Sequence, residues 1–522
     1  MAVLAGPTSA AAEATPQPVD LMHNVLSAPA PDSSAQFGTG PGVKNGTAFC
    51  TTIKSSAANV NTDCAQNTVG PHNESSIAVN PANPLNMIGG MNDYQLTLNA
   101  DGKVGETILS QAHVTFDGGQ TWSDYPVNPN SAYQATGDPA VAFDDHGTAY
   151  YATLGFRFIG PANVGNADVL VHTSTDGGKT WSQAVVQPGS GIGSSVGNSL
   201  DKEFITAWGN GNAIVTWTNF LQDQKGNVTS VTTHSSVSHD GGATWSEQNT
   251  ISGSFNAADF TTPKMTADGR LFVSFINTPA GSTDGRDNVD VVELSPLTGA
   301  EIGSPITIAT VFDGNTDYPI AFGRQTYQDS LFRNGDEFSL AVDPTNGAHM
   351  AVVWSDMRNS TLPAPTDPYK AKTNSDVIVS QSFDHGAHWS APTALTILND
   401  QFMPWGTYDT TGHLRIGFFD RQYDSANHKY GYSLATETTP GSLTFNVTQV
   451  TTALSDPTRG DRWFRRIVNS NFPLATAFMG DYSAIAATPD GGVVAFWTDM
   501  REPATFAGLT LSGEDAFFAK VA

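Results

Sequence analysis

Asp201 and Glu203 lie two residues apart in Asp201-Lys-Glu-Phe-Ile205. In an extended strand that spacing puts both carboxyls on one face and Lys202 on the other. Two acids so placed suit general acid/base work on a single bond. Single acids open similar apolar runs: Glu74 in Glu74-Ser-Ser-Ile-Ala-Val79, Asp138 in Asp138-Pro-Ala-Val-Ala-Phe143, Glu337 in Glu337-Phe-Ser-Leu-Ala-Val342, and Asp481 before Tyr482-Ser-Ala-Ile-Ala-Ala487. Arginines close others: Arg157, Arg358 in Trp354-Ser-Asp-Met-Arg358, Arg421 after Asp420, and Arg501 in Trp497-Thr-Asp-Met-Arg501. A guanidinium grips a carboxylate through two parallel hydrogen bonds. Acids and arginines together therefore describe proton transfer on an anionic substrate, provided the fold gathers them.

The elements that would gather them are marked by a recurring octet, Ser/Thr-x-Asp-x-Gly-x-x-Trp. It reads Thr115-Phe-Asp-Gly-Gly-Gln-Thr-Trp122, Ser174-Thr-Asp-Gly-Gly-Lys-Thr-Trp181, Ser238-His-Asp-Gly-Gly-Ala-Thr-Trp245 and Ser382-Phe-Asp-His-Gly-Ala-His-Trp389. The copies are about 60 residues apart, with one gap about twice that long, and a period of this size filled with short strands is that of a β-propeller blade. Decayed copies stand at Leu294-Ser-Pro-Leu-Thr-Gly299 and near Thr438-Thr-Pro-Gly441. Counting strand groups predicts an all-β propeller of seven four-stranded blades, with six as the fallback. The last unit shows three strands, so a strand from the N-terminal segment is expected to complete it and remove an open edge.

The octets resemble the Asp boxes, or BNR repeats, of the sialidase-like superfamily, over about residues 73 to 522. The resemblance implies that Asp117, Asp176, Asp240 and Asp384 are structural, each carboxylate capping turn N–H groups while glycine adopts a left-handed conformation and tryptophan wedges between sheets. Sialidases, as a family, use an arginine triad, a tyrosine nucleophile activated by a glutamate, and an aspartate acid/base, on a propeller of fewer blades. Their Phe/Tyr-Arg-Ile-Pro motif does not precede the first octet here, and the nearest string, Phe464-Arg-Arg-Ile-Val468, lacks the proline. The resemblance is therefore highly specific for the scaffold and weak for activity, and the enzyme it implies is an exo-sialidase-like glycoside hydrolase without the canonical sialidase motif.

In a propeller the first strand of each blade starts, and the second ends, on one face around the axis. Asn73/Glu74, Asp138, Asp201/Glu203, Glu337 and Asp481 are then expected at the funnel, with Asn92-Asp93-Tyr94, Arg157, Arg358, Arg421 and Arg501. Glu74, Asp138, Asp201, Glu203 and Asp481 are the catalytic candidates, and Arg358, Arg421, Arg501, Arg157, Tyr94 and His72 the substrate-binding ones. A ring of like charges would raise some pKa values or hold a divalent cation such as calcium, structural or in the funnel, although no cofactor is required. Against this stands a structural reading: the Asp-Met-Arg strings recur in the repeat frame and would bridge blades, Tyr94 and Tyr482 would pack in the core, and His72 would be a hydrogen-bonded residue.

Composition narrows the partners. A formal net charge of −26 and a pI near 4.5 exclude a nucleic-acid surface, which needs clustered Lys and Arg. No run of about 18 apolar residues is present to span a membrane. Residues 1–36 read as a signal remnant or disordered linker, 37–72 as an N-terminal extension with the closing strand, and 73–522 as the propeller. Cys50 and Cys64 would form a disulfide in an oxidising, extracellular compartment, constraining the unfolded chain by roughly 3 kcal/mol. Three functions fit: a secreted glycoside hydrolase, a non-catalytic carbohydrate- or protein-binding propeller, and a polysaccharide lyase. A monomer is expected, because a closed ring leaves no open apolar edge.

Overall fold

A computed structural model describes residues 45–64, 71–98, 104–127, 133, 135–158, 164–190, 197–223, 227–314, 317–321, 324–334, 338–360, 372–457, 478–506 and 509–521. Glu337, Phe464–Val468 and the segment 1–36 lie outside them. The described chain forms seven antiparallel blades, and their first strands neighbour one another in a closed circuit. From the axis outward, blade 1 is His72–Val79, Met87–Leu98, Val104–Thr115 and Ser123–Pro126; blade 2 is Ala135–Phe143, Ala149–Phe158, Val164–Ser174 and Ser182–Gln187. Blade 3 is Gly197–Trp208, Asn212–Gln222, Val228–Ser238 and Asn249–Thr250; blade 4 is Ala258–Met265, Leu271–Asn277, Asn288–Leu294 and Ile306–Thr310. Blade 5 is Phe338–Val342, Met350–Asp356, Asp376–Ser382 and Thr393–Ala394; blade 6 is Gln401–Tyr408, Leu414–Asp420, Gly431–Glu437 and Phe445–Gln449.

Blade 7 closes the ring. Its inner strands are Ala484–Ala487, Val493–Asp499 and Asp515–Val521, and the outermost is Val60–Asn61 from the N-terminal segment, pairing with Phe517 and Phe518. Cys50–Thr51 adds a fifth strand to blade 1, against Ser123 and Asp124, and a Cys50–Cys64 disulfide joins the two additions. No helix among the described residues is long and apolar enough to cross a membrane.

Second strands such as Ala213–Trp217, Met350–Trp354 and Val493–Trp497 are buried on both faces. Each blade is sandwiched between two others, so these strands read as unbroken β-branched and aromatic runs rather than alternating ones. The octets fill the turns between third and fourth strands. Asp117 accepts from the amides of Gln120 and Thr121, each at 2.9 Å, and from the Thr121 hydroxyl at 2.7 Å. Asp176, Asp240 and Asp384 do the same in their own turns. Burial opposes ionisation of Asp117 and Asp176, yet these hydrogen bonds hold both below the usual carboxylate range.

The second glycine of each of the first three octets has positive φ and faces the preceding blade. A Cβ on Gly119 would lie 2.2 Å from Phe518 of blade 7, and one on Gly242 would lie 2.5 Å from Thr173 of blade 2. The decayed octets keep this feature: Gly299 faces Ser235 and Val237 of blade 3, and Gly441 faces Phe383 of blade 5. What the repeat preserves is close approach between blades. Gly119→Ala is accordingly expected to destabilise the fold by about 1–3 kcal/mol from overpacking, on top of backbone strain. Gly241→Ala has the same kind of φ but nothing within 4 Å, so it should cost only the left-handed strain of roughly 1–2 kcal/mol. Denaturant unfolding of the two variants measures the difference.

Candidate functional site: a buried charge cluster on the propeller axis

The first strands do not run straight into the axis. Their register slips between Asn73 and Ser76, Gly137 and Ala140, Asp201 and Phe204, Asp259 and Thr261, and Phe402 and Trp405. At each slip one non-glycine residue takes a left-handed conformation: Glu74 (φ 57°), Asp138 (58°), Lys202 (52°), Phe260 (50°) and Met403 (49°). Such a conformation costs on the order of 1–3 kcal/mol and persists only where its surroundings impose it. A bulge re-aims a side chain, and here it turns Lys202 towards the acids. The expectation that Lys202 lies opposite the Asp201/Glu203 pair, away from the acids, is corrected on this ground: strict alternation fails at a bulge.

Lys202 Nζ lies 3.2 Å from Glu74 Oε1 and 3.8 Å from Asp138 Oδ2, and donates a short hydrogen bond to Asp481. Asp481 also takes a fork from Arg333, Nε to Oδ1 at 2.5 Å and Nη2 to Oδ2. Asp201 and Glu203 complete the group, which is buried throughout; Glu203 is 1% exposed. Five carboxyls face two cations, so they cannot all ionise at neutral pH. Burial, then Asp138, pushes Glu74, Asp201 and Glu203 well above the usual carboxylate range. Burial acts on Asp481 too, but Arg333 and Lys202 overcome it and hold that carboxyl well below its ordinary value. Burial would lower Lys202, yet Asp481, Glu74 and Asp138 keep it firmly protonated. Neither carboxyl oxygen of Glu203 finds a hydrogen-bond donor on another described residue. Burial and charge thus drive the acidities of Glu203 and Asp481 in opposite directions.

Next to the cluster, aromatic rings of the first strands and Tyr482 pack together. Phe204 packs on Phe260 at 5.0 Å, on Tyr482 at 5.3 Å and on Trp405 at 5.6 Å. Burial, then Glu74 and its neighbours, raises the Tyr482 phenol well above its ordinary pKa, which opposes a phenolate nucleophile there. On the far side lies a cavity of about 230 Å³ lined by the later parts of the first strands and by Lys264 and Trp405.

The other candidates lie elsewhere. Arg358 forks onto Asp356, which also accepts from Trp354 Nε1 at 2.9 Å, and donates to the Thr310 carbonyl of blade 4. Arg501 repeats this with Asp499 and Trp497, and reaches Asn59 and Thr452. Arg421 is fully buried on Asp400, Ser330 and the Gln328 and Asn427 carbonyls. Arg157 is tied to Asp168 at 2.6 Å and to Tyr133. Each of the four is engaged by a carboxylate near it in the chain, in the manner of a blade-to-blade or intrablade bridge. Tyr94 packs in the core, and His72 sits at the seam with blade 7 between Asp63 and Asp93. Arg333 was not among the sequence candidates. It comes from the connection between blades 4 and 5, outside the repeat frame, and nothing in its neighbourhood marks it.

No protein-family model matches the chain, and no curated protein matches it. Among solved structures it is similar to a Hadza microbial sialidase, Hz136, at 12% identity over 80% of this chain and 75% of that one, with a TM-score of 0.42. It is also similar to the α-L-arabinofuranosidase arb93a of Fusarium graminearum, at 13% identity over 73% and 97%, TM-score 0.44. A third is the NanB sialidase of Streptococcus pneumoniae, at 10% identity over 84% and 83%, TM-score 0.43. At this level of likeness the fold stands on the strand pairing itself: the protein is a seven-bladed β-propeller whose blade turns carry the Ser/Thr-x-Asp-x-Gly-x-x-Trp octets.

Removing the charge from Asp481 leaves Arg333 and Lys202 buried without their shared anion. Asp481→Asn is expected to cost about 3–5 kcal/mol of stability at pH 7, read by chemical denaturation. Because the folded-state pKa is depressed, this contribution is present above the unfolded value of about 4 and disappears as pH falls through the folded one. The gap between wild type and Asp481→Asn should therefore narrow in acid.

Proposed function

We propose that the chain is a secreted, glycan-active propeller working as a glycoside hydrolase at the acid cluster. The observation that carries this reading is Glu203: a buried carboxyl without a donor from another described residue, in the same axial cluster as an Asp481 held ionised by two cations. Two carboxyls driven apart in pKa are the elements of an acid and an electrostatic partner. Glu203 would give its proton to the leaving glycosidic oxygen and take one back from the water that adds to the anomeric carbon. Asp481 would stabilise the positive charge developing on the sugar ring. The octet resemblance and the disulfide support an extracellular carbohydrate substrate.

The burial of every carboxyl in the cluster favours a second reading, a non-catalytic propeller that binds a glycan or protein on its surface while the charges only lock the ring. Glu203→Gln separates the two. The variant should keep the wild-type circular dichroism and lose at least about 100-fold in turnover, scored against sialosides, uronate-containing polymers and neutral plant glycans. No release of sugar by the wild type from any of them, with binding on a glycan array, would leave the binder; products absorbing in the ultraviolet would indicate a lyase.

A further inference from the structure

The seam between blades 7 and 1 holds a second group of polar side chains, separate from the axial cluster. Asp63 follows the closing strand and precedes Cys64 of the disulfide; His72 begins the first strand of blade 1; Asp515 begins the third strand of blade 7. One carboxylate oxygen from each aspartate and one imidazole nitrogen all lie within 4.8 Å of one another. His72 is 1% exposed, and each of its ring nitrogens faces a carboxylate. Nδ1 lies 3.6 Å from Asp63 Oδ2, too far for a hydrogen bond. It is close to the edge of a tetrahedron with bonds of about 2.0–2.1 Å, whose ligand atoms are about 3.3–3.4 Å apart. On the other side of the ring, Nε2 faces Asp93 Oδ1 at 3.3 Å. Asp93 is itself fixed by Gln111.

We propose that Asp63, His72 and Asp515 form a zinc site that fastens the ring closure, with Asp93 orienting the imidazole from outside. One nitrogen and two oxygen ligands suit zinc, whereas calcium takes six to eight oxygens. A carboxylate on the remote ring nitrogen is the usual support of a metal-bound histidine, fixing its orientation and raising its basicity. The three ligands come from the N-terminal segment, blade 1 and blade 7, so an ion there would join the parts that must meet for the propeller to close. The rival state of the same residues is a proton on His72 shared between Asp63 and Asp93, with no metal.

The test uses the full chain without an affinity tag, stripped with EDTA and titrated with zinc chloride by calorimetry at neutral pH, with the thermal midpoint followed in parallel. The wild type is expected to bind one zinc with a Kd in the micromolar range or tighter, and to melt several degrees higher with it. Asp515→Asn and His72→Gln, each checked for native circular dichroism, should weaken binding by at least about 100-fold, and Asp93→Asn by about 10- to 100-fold. Calcium chloride at the same concentration should give neither heat nor a shift. An absence of zinc binding by the wild type, binding that survives both Asp515→Asn and His72→Gln, or an equal response to calcium overturns the site.

Discussion

A propeller is stable only if its ring closes, because each blade buries its faces on its two neighbours and an unclosed ring exposes both ends. Here one short strand, Val60–Asn61, supplies the last edge of blade 7, while the chain ten residues before it extends blade 1. Two backbone pairings in so short a strand are a weak fastening by themselves. The seam is reinforced by the disulfide and by Trp122 of the blade 1 octet, whose ring packs 4.9 Å from Phe518 of blade 7. Every other blade junction is made by continuous chain, so this one alone needs added fastenings.

The axial cluster faces a related constraint. Five carboxyls and two cations out of water are costly unless each charge is matched, and a buried ion pair seldom gains net stability over an apolar core. Five left-handed bulge residues add strain around the same axis, Glu74, Asp138, Lys202, Phe260 and Met403. The repeat could have placed apolar residues at these positions, as it does with Phe260 in blade 4 and Met403 in blade 6. The charged choices in blades 1 to 3 therefore reflect something other than packing.

The scaffold was legible in the sequence because its signals are local. The octet is a turn whose hydrogen bonds stay within about five residues, and Gly119, Gly178 and Gly242 are required by the approach of the preceding blade. The closing strand was legible by arithmetic, three strands where four are needed. The site was only partly so. Glu74, Asp138, Asp201, Glu203 and Asp481 do meet on the axis, since first-strand starts must converge in a ring. The orientation of Lys202 was not legible, because a bulge breaks the alternation from which faces are inferred. Aligning Asn73-Glu74-Ser75 and Gly137-Asp138-Pro139 with Asp201-Lys202-Glu203 would have put Lys202 at the same inward position as Glu74 and Asp138. Arginine type was visible in the Trp-x-Asp-x-Arg strings, but partner was not: the intervening aspartate binds both the indole N–H and the guanidinium, leaving Arg358 and Arg501 committed to their own strands.

The aromatic layer decides from which side the acids can act. Phe204, Trp405 and Tyr482 pack on one another and line the 230 Å³ cavity, and Phe260 packs against Phe204. The two compartments also differ in sign. The cavity holds Lys264, whose amine burial lowers to about 8, near the face of Trp405 at 6.0 Å. An anionic group entering there would meet a cation and an aromatic surface, while one approaching the cluster would meet an excess of carboxyls partly offset by Lys202 and Arg333. On the proposed hydrolase reading, a substrate of Glu203 would approach from the face where the first strands begin. Any negative charge on such a substrate would have to be held by cations other than those already bound to Asp481, because sharing either one would raise the pKa of Asp481 and remove its contrast with Glu203, on which the proposed chemistry rests.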